Sequence, residues 1–183
     1  MKKAAVLMAE GYEEGETLTV VDLLRRAGVE CHTFSFGEDF VKSTHGMYIK
    51  ADKVFSDEVK DYDLIFLPGG NPGGIHLREN PEVLDMVRWF DAQGKYVAAM
   101  CMGTTVLEEA GIIRGRNVTG YTGYAEKLKS GVFSEDVVVQ DGNLITSQGP
   151  ATPWPLAFLM AELLGGDAET VRTRTLYSQA GGI

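Results

Sequence analysis

Cys101 is the residue of this chain whose surroundings most clearly indicate chemistry. The apolar run Tyr96–Met100 has the length and composition of a buried strand, and a helical pattern at 101–111 follows it with almost no loop. A thiol on such a sharp strand-to-helix turn projects from the sheet edge, as in a nucleophile elbow. Because the start of a helix carries partial positive charge, we expect a nucleophilic Cys101 with a depressed pKa. The alternative is a small apolar core residue.

Three glutamates, Glu13, Glu14 and Glu16, form the second candidate group. Acidic residues are favoured in the first turn of a helix, and this accounts for two of them. Glu16 lies one turn inside the predicted helix beside the apolar Val20, so it faces the core and needs a partner. Placed against a thiolate, Glu16 would be pushed towards its protonated form and could donate a hydrogen bond to the sulfur.

The glycine-rich loop at residues 68–74, PGGNPGG, is the third candidate group. Its glycines leave the backbone free to aim N–H groups at an anion, although a plain turn uses the same residue types. The loop lacks the Lys-Ser/Thr ending of a nucleotide P-loop and the spacing of a dinucleotide-binding motif. It therefore predicts donors for an oxyanion rather than a nucleotide site.

The histidines restrict which chemistry is available. They are His32, His45 and His76, so all three precede Cys101 and none has metal-ligand spacing. We interpret His32 as a strand residue, His45 as a turn residue and His76 as the start of an exposed helix. The sequence thus predicts no metal site, no cofactor, and no histidine base beside Cys101.

Strands and helices alternate along the chain, which favours an α/β fold. Strands are predicted at 4–9, 29–36, 64–67, 96–100 and 118–119, a hairpin at 137–140 and 144–146, and a small hairpin or excursion at 41–51. Helices are predicted at 15–27, 81–92, 101–111 and 153–164. The apolar strands indicate a mostly parallel sheet covered on both faces, hence a three-layer sandwich. Since ligands bind at the carboxyl ends of such strands, residues 10–16, 69–74 and 101–103 should meet there.

Composition limits the broad class of protein. The chain has 183 residues, 44% hydrophobic and 23% charged, which suits one domain over 1–183 with a polar tail at 168–183 that we leave unassigned. A net charge of −9 argues against nucleic-acid and anionic-membrane partners. The first apolar run is too short for a signal peptide, and two cysteines make no disulfide framework. We expect a cytoplasmic protein without a membrane partner.

Five sequence blocks carry a family resemblance. They are GYEEGET at 11–17, VDLLRRAG at 21–28, LPGGN at 67–71, AAMCMG at 98–103 and TSQGP at 146–150. Together and in this order they resemble the ThiJ/PfpI family, over about residues 3–165. This is the superfamily of a Parkinson-disease-associated protein deglycase, with a class I glutamine-amidotransferase-like fold.

The resemblance implies a flavodoxin-like three-layer αβα sandwich with a mostly parallel central sheet, often in a homodimer. It implies that Cys101 and Glu16 are the catalytic pair and that the backbone N–H groups of Gly70 and Met102 are oxyanion donors. The possible pocket residues are Gly69, Tyr121 and Pro150.

Two departures from the family pattern bear on activity. Members with glyoxalase or deglycase activity commonly carry a histidine near the position of Tyr121, and a phenol with a pKa of about 10 is a poor base at neutral pH. The protease branch has a histidine directly after the cysteine, where this chain has Met102. The sequence therefore disfavours a protease and predicts low turnover for a glyoxalase.

Three functions stay open at this point, and whether the chain is an enzyme is one of the open questions. The leading hypothesis is glutathione-independent, glyoxalase- or deglycase-type handling of small reactive carbonyls by Cys101 and Glu16, in a stress response. The alternative from another class is a non-catalytic sensor of oxidative stress in which Cys101 is oxidised and stabilised by protonated Glu16. A weaker alternative is a hydrolase or hydratase acting on another small molecule.

Overall fold

The computed structural model describes residues 2–181 and contains a central seven-stranded sheet. Along the sheet the strands lie in the order β10 (Val138–Asp141), β11 (Leu144–Ser147), β7 (Tyr96–Met100), β6 (Leu64–Leu67), β1 (Lys3–Met8), β2 (Glu30–Ser35) and β5 (Lys53–Val54). Every neighbouring pair is parallel except β10 with β11, which form the predicted antiparallel hairpin. The α/β fold with a mostly parallel sheet is therefore confirmed.

Helices cover both faces of the sheet. They are α1 (Glu14–Arg26), α2 (Gly73–Glu79), α3 (Pro81–Ala92), α4 (Thr104–Ala110), α5 (Pro153–Leu163) and α6 (Ala168–Arg174). One core joins α1 and α5 to the sheet and includes Leu24, Phe66 and Phe158. The other joins α3 and α4 to the opposite face and includes Ile65, Phe90 and Leu107. Alternate residues of β6 thus point into different cores, which is why the sequence of this strand is uniformly apolar.

Two further pairs of short strands lie outside the central sheet. The strands β3 (Phe40–Lys42) and β4 (Tyr48–Lys50) form an antiparallel hairpin, as predicted for 41–51. The strands β8 (Asn117–Val118) and β9 (Val132–Phe133) are parallel to each other. The predicted strand at 118–119 therefore exists one residue earlier and pairs away from the main sheet.

Several helical segments differ from the sequence prediction. The helix predicted at 101–111 begins as a single 3₁₀ turn, Cys101–Gly103, and becomes α4 only at Thr104. The helix α2 starts inside the glycine loop, at Gly73, earlier than the start predicted near His76. The polar tail, left unassigned, contains α6, which is capped by the Asp167 side chain accepting from the Thr170 N–H at 2.9 Å. Met1, Gly182 and Ile183 lie outside the described residues.

No helix within residues 2–181 is both long and apolar enough to cross a membrane. The longest, α1, has 13 residues, and it carries charged side chains on its outer face.

Candidate active site

Cys101 lies on a strained turn at the carboxyl end of β7, a strand inside the sheet. Its backbone φ is +51°, in the left-handed region that non-glycine residues seldom occupy. The Thr104 hydroxyl donates a hydrogen bond of 2.7 Å to the Cys101 carbonyl and so ties the turn to the first residue of α4. The side chain is half-buried, with part of its surface open. Such strain is commonly retained where a side chain must be held in one place for function.

Glu16 approaches the same point from the first turn of α1. The residue is fully buried, and its Oε2 accepts a hydrogen bond of 2.8 Å from the Gly69 N–H. The helix begins here because Glu13 caps it, its Oε2 accepting from the Glu16 N–H at 2.5 Å. Burial raises the pKa of Glu16 to about 7, although the Gly69 and Cys101 hydrogen bonds oppose the rise.

Gly69 is the residue that allows the thiol and the carboxyl to meet. A Cβ at this position would lie 2.7 Å from Glu16 Oε2 and 3.0 Å from Cys101 Sγ. Any larger residue would therefore separate the pair. The other carboxyl oxygen, Glu16 Oε1, is buried and has no hydrogen-bond partner in the described part of the chain.

The electrostatics of Cys101 overturn one expectation. Burial raises the pKa of the thiol to about 12, with the Glu16 charge and hydrogen bond acting in the same direction. The backbone N–H groups of Met102 and Gly70 act the other way but do not prevail. The depressed pKa predicted for Cys101 is therefore wrong, because burial, followed by the Glu16 carboxylate, outweighs the start of a short helix. The two groups titrate as one unit that carries a single negative charge above about pH 7.

The backbone N–H groups of Gly70 and Met102 both face the Cys101 sulfur. Gly70 has a φ of +103°, and a Cβ there would lie 2.2 Å from the Gly11 carbonyl oxygen, so only glycine fits. This close packing joins the loop after β6 to the loop after β1, where Glu13 N–H donates to Gly69 O at 3.1 Å. The three loops predicted to meet at this edge of the sheet do meet there.

The remaining predicted pocket residues lie further out. Tyr121 is 46% exposed, and its ring lies against that of Tyr124 with centroids 5.6 Å apart. Pro150 is exposed, whereas its neighbour Gly149 packs against the Tyr121 ring. A pocket role for Tyr121 and Pro150 stays a prediction.

Tyr124 is a site residue that the sequence reasoning missed. It is 8% exposed. Burial raises the pKa of its hydroxyl, and the charges of Cys101, Tyr121 and Glu16 raise it further. Nothing in the sequence distinguishes this tyrosine from others in polar loops, because its approach to Cys101 depends on the path of the chain after β8.

The histidines have their contacts elsewhere. His32 Nδ1 lies 2.7 Å from the Tyr62 hydroxyl, and His76 Nδ1 lies 2.9 Å from the Glu10 carbonyl. The turn residue His45 lies 3.1 Å from Glu14, and the ligand atoms of these two residues and Glu13 fall within 4.8 Å of one another. The spacing of residues along the chain did not reveal this group. The adjoining positive end of α1 does not favour a cation there.

Comparison with known proteins places this geometry among relatives. The model of the DJ-1/PfpI family matches residues 2–163. The Parkinson disease protein 7 homolog of Danio rerio is 36% identical over 171 residues, covering 90% of each chain. A protein of Pyrococcus horikoshii named Deglycase PH1704 is 33% identical over 153 residues, covering 81% of this chain and 91% of its own. The crystal structure of Drosophila melanogaster DJ-1beta superposes with a TM-score of 0.91 at 34% identity, covering 96% and 98% of the two chains.

Proposed function

The chain belongs to the DJ-1/PfpI family, and from this premise we propose that it converts small 2-oxoaldehydes to 2-hydroxy acids through Cys101. One observation carries the proposal: the thiol lies against a buried glutamate whose pKa burial raises to about 7. A general base is most effective when its pKa lies near the working pH, and Glu16 meets that condition at neutrality. The named deglycase among the relatives supports carbonyl chemistry of this kind.

In the first step Cys101 adds to the aldehyde carbon. The thiol proton passes to the Glu16 carboxylate as the Sγ–C1 bond forms, so no separated pair of charges is created in the buried site. The carbonyl oxygen gains negative charge and accepts hydrogen bonds from the Gly70 and Met102 N–H groups. Donors already fixed in place stabilise such a charge without reorganisation. Uptake of a proton by this oxygen completes a hemithioacetal.

In the second step the substrate is oxidised at C1 and reduced at C2 without an external oxidant. After returning its first proton to the substrate oxygen, Glu16 takes the C1 proton and leaves an enediolate with its charge on the C2 oxygen. The proton of the C1 hydroxyl then moves to the C2 oxygen, and Glu16 delivers its proton to C2, which yields a thioester on Cys101 and restores the Glu16 carboxylate. Water adds to the thioester carbon and the C1–Sγ bond breaks, which releases the hydroxy acid and the thiol. All electrons remain within the substrate and water, so no cofactor or glutathione enters the balance.

Glu16 can also act as the base in place of the missing histidine. The sequence offers Tyr121 at the family's histidine position and therefore predicts poor base catalysis. A carboxyl with a pKa near 7 can move both protons itself, since general acid–base catalysis needs a group with a matched pKa rather than a particular residue type. We accordingly expect turnover without a histidine.

The test is lactate formation from methylglyoxal in the absence of glutathione. Wild type should form lactate, and Cys101→Ser should lose at least 100-fold in kcat/KM, roughly the scale of losing a covalent nucleophile. Cys31→Ser is the matched control. Cys31 is buried on β2 and not at the elbow, so this variant should leave kcat/KM unchanged. Lactate formation that survives in Cys101→Ser would contradict the proposal.

A sensor of oxidants is the second candidate, supported by the partly exposed thiol beside two backbone N–H groups. Two equivalents of hydrogen peroxide would oxidise the sulfur to a sulfinate and be reduced to water. The sulfinate oxygens would then accept hydrogen bonds from the N–H groups of Gly70 and Met102 and from protonated Glu16. Ready oxidation of Cys101 in a protein that forms no lactate would favour this candidate over the enzyme.

A further inference from the structure

We propose that the Tyr124 hydroxyl is the specificity-determining donor of this site and binds the second oxygen of a 1,2-dicarbonyl substrate. The inference rests on the proposed function, because it concerns which carbonyl compounds Cys101 selects. It assigns to Tyr124 a contact with substrate that Tyr121, its exposed neighbour, does not make.

The loop that carries Tyr124 is held firmly beside the elbow. The loop after β8 is anchored where the Thr119 N–H donates to Thr146 Oγ1 at 2.9 Å. Gly120 then packs on Thr104, whose hydroxyl binds the Cys101 carbonyl; a Cβ on Gly120 would lie 3.0 Å from Thr104 Oγ1. The loop therefore crosses over Thr104, the first residue of α4, whose hydroxyl is tied to the Cys101 turn.

The Tyr124 ring is fixed on several sides within this loop. The Tyr124 backbone N–H donates to the Tyr121 carbonyl at 2.9 Å, and the Tyr124 carbonyl accepts from the Lys127 N–H at 2.8 Å. The Lys127 ammonium lies 4.0 Å from the ring centroid, close enough for a cation–π contact. A ring fixed in this way loses little conformational freedom when a ligand binds.

The Tyr124 hydroxyl lies within range of the charges at the elbow. The charges of Cys101 and Glu16 both act on the Tyr124 hydroxyl and, with burial, raise its pKa. The phenol therefore stays protonated at neutral pH and remains a hydrogen-bond donor to a group bound at Cys101. By contrast, Tyr121 has nearly half of its surface in solvent.

The other polar groups of the site already have roles in the proposed reaction. The N–H groups of Gly70 and Met102 donate to one oxygen, that of the attacked aldehyde. Glu16 transfers protons during the reaction. A 1,2-dicarbonyl brings a second oxygen on C2, which gains negative charge when removal of the C1 proton leaves the enediolate. Within the described chain Tyr124 supplies the donor for that oxygen, whereas a simple aldehyde has no group there.

The test measures how well each aldehyde protects Cys101 from iodoacetamide, read by peptide mass spectrometry. Methylglyoxal and propionaldehyde are compared as protectants in wild type, Tyr124→Phe and the matched control Tyr121→Phe. We expect Tyr124→Phe to need roughly tenfold more methylglyoxal for half protection, the loss of one hydrogen bond. Protection by propionaldehyde should stay unchanged, which also shows that the variant is folded. Tyr121→Phe should leave both protections unchanged.

Three results would overturn the inference: unchanged methylglyoxal protection in Tyr124→Phe, equal loss for both aldehydes, or a selective loss in Tyr121→Phe instead. The assay is independent of turnover. If wild type forms no lactate but Tyr124→Phe still loses methylglyoxal protection selectively, the proposed reaction fails and the binding role of Tyr124 stands.

Discussion

At the scale of single residues, the buried Glu16 carboxyl links the chemistry of the site to the stability of the protein. Burial raises its pKa from 4.5 to about 7. Between these values the folded protein retains a proton that the unfolded chain has released, so the free energy of unfolding falls as the pH rises through this window. The expected total is about 3 kcal/mol.

Glu16→Gln should remove this dependence, because an amide does not titrate and still accepts from the Gly69 N–H. We expect the variant to gain stability relative to wild type between pH 5 and pH 8, by up to about 3 kcal/mol in urea unfolding. Glu14→Gln is the control of opposite sign. Burial raises the pKa of Glu14, but hydrogen bonds from its backbone N–H and from His45 outweigh burial and lower it. This variant should lose stability relative to wild type as the pH rises. A stability difference for Glu16→Gln that does not change with pH would contradict the assignment.

At the scale of elements, the 3₁₀ turn that carries Cys101 depends on contact with the end of β6. Gly103 packs so closely that a Cβ would lie 2.2 Å from the Leu67 carbonyl oxygen and 2.6 Å from that of Pro68. Its φ of −57° is ordinary, so the requirement for glycine is one of space alone. The position of the thiol is thus set by the neighbouring strand as well as by its own helix.

Gly103→Ala should therefore lower the free energy of unfolding by about 3 kcal/mol, the upper part of the usual range for overpacking. Gly94→Ala is the matched control, since Gly94 has a φ of +67° but nothing within 4 Å of its Cβ position. Its cost should be about 1 kcal/mol, from the left-handed backbone alone. Equal losses in urea unfolding of the two variants would show that the contact with β6 is unimportant.

An element could be predicted from the sequence where the interactions that form it are local. Apolar patterning is a local property of the sequence, and it predicts the strand β7, the turn at Cys101 and the burial of Glu16. The helix α2 begins with two glycines, poor helix formers, and exists because it packs on α4 and the Cys101 turn. The strands β5, β8 and β9 have two residues each, too few to show alternation.

The electrostatics of the site could not be predicted in the same way. A helix start lowers a thiol pKa when other influences are small, but desolvation and a neighbouring charge depend on tertiary packing. Both effects raise the pKa of Cys101. Burial also raises the pKa of Glu16 to about 7, in the range that a histidine base would provide. The role of Tyr124 likewise depends on the path of a loop.

At the scale of the whole molecule, the fold brings together groups that are far apart in the sequence. The loops after β1, β6 and β7 open at the same edge of the parallel sheet, so residues 16, 69 and 101 share one site. The site lies within the 162 residues matched by the family model, and α6 lies beyond them. The homodimer and the single domain stay predictions.

Cys101 and Glu16 are inferred to share one proton, and the pH dependence of Cys101 alkylation measures this sharing. Peptide mass spectrometry after timed iodoacetamide labelling gives the rate for Cys101, with the buried Cys31 as a slow internal reference. In wild type we expect the rate to rise in a step with its midpoint near pH 7, where the pair loses its first proton. In Glu16→Gln this step should be missing. The same profile in both proteins would contradict the account, because Cys101 would then titrate without regard to Glu16.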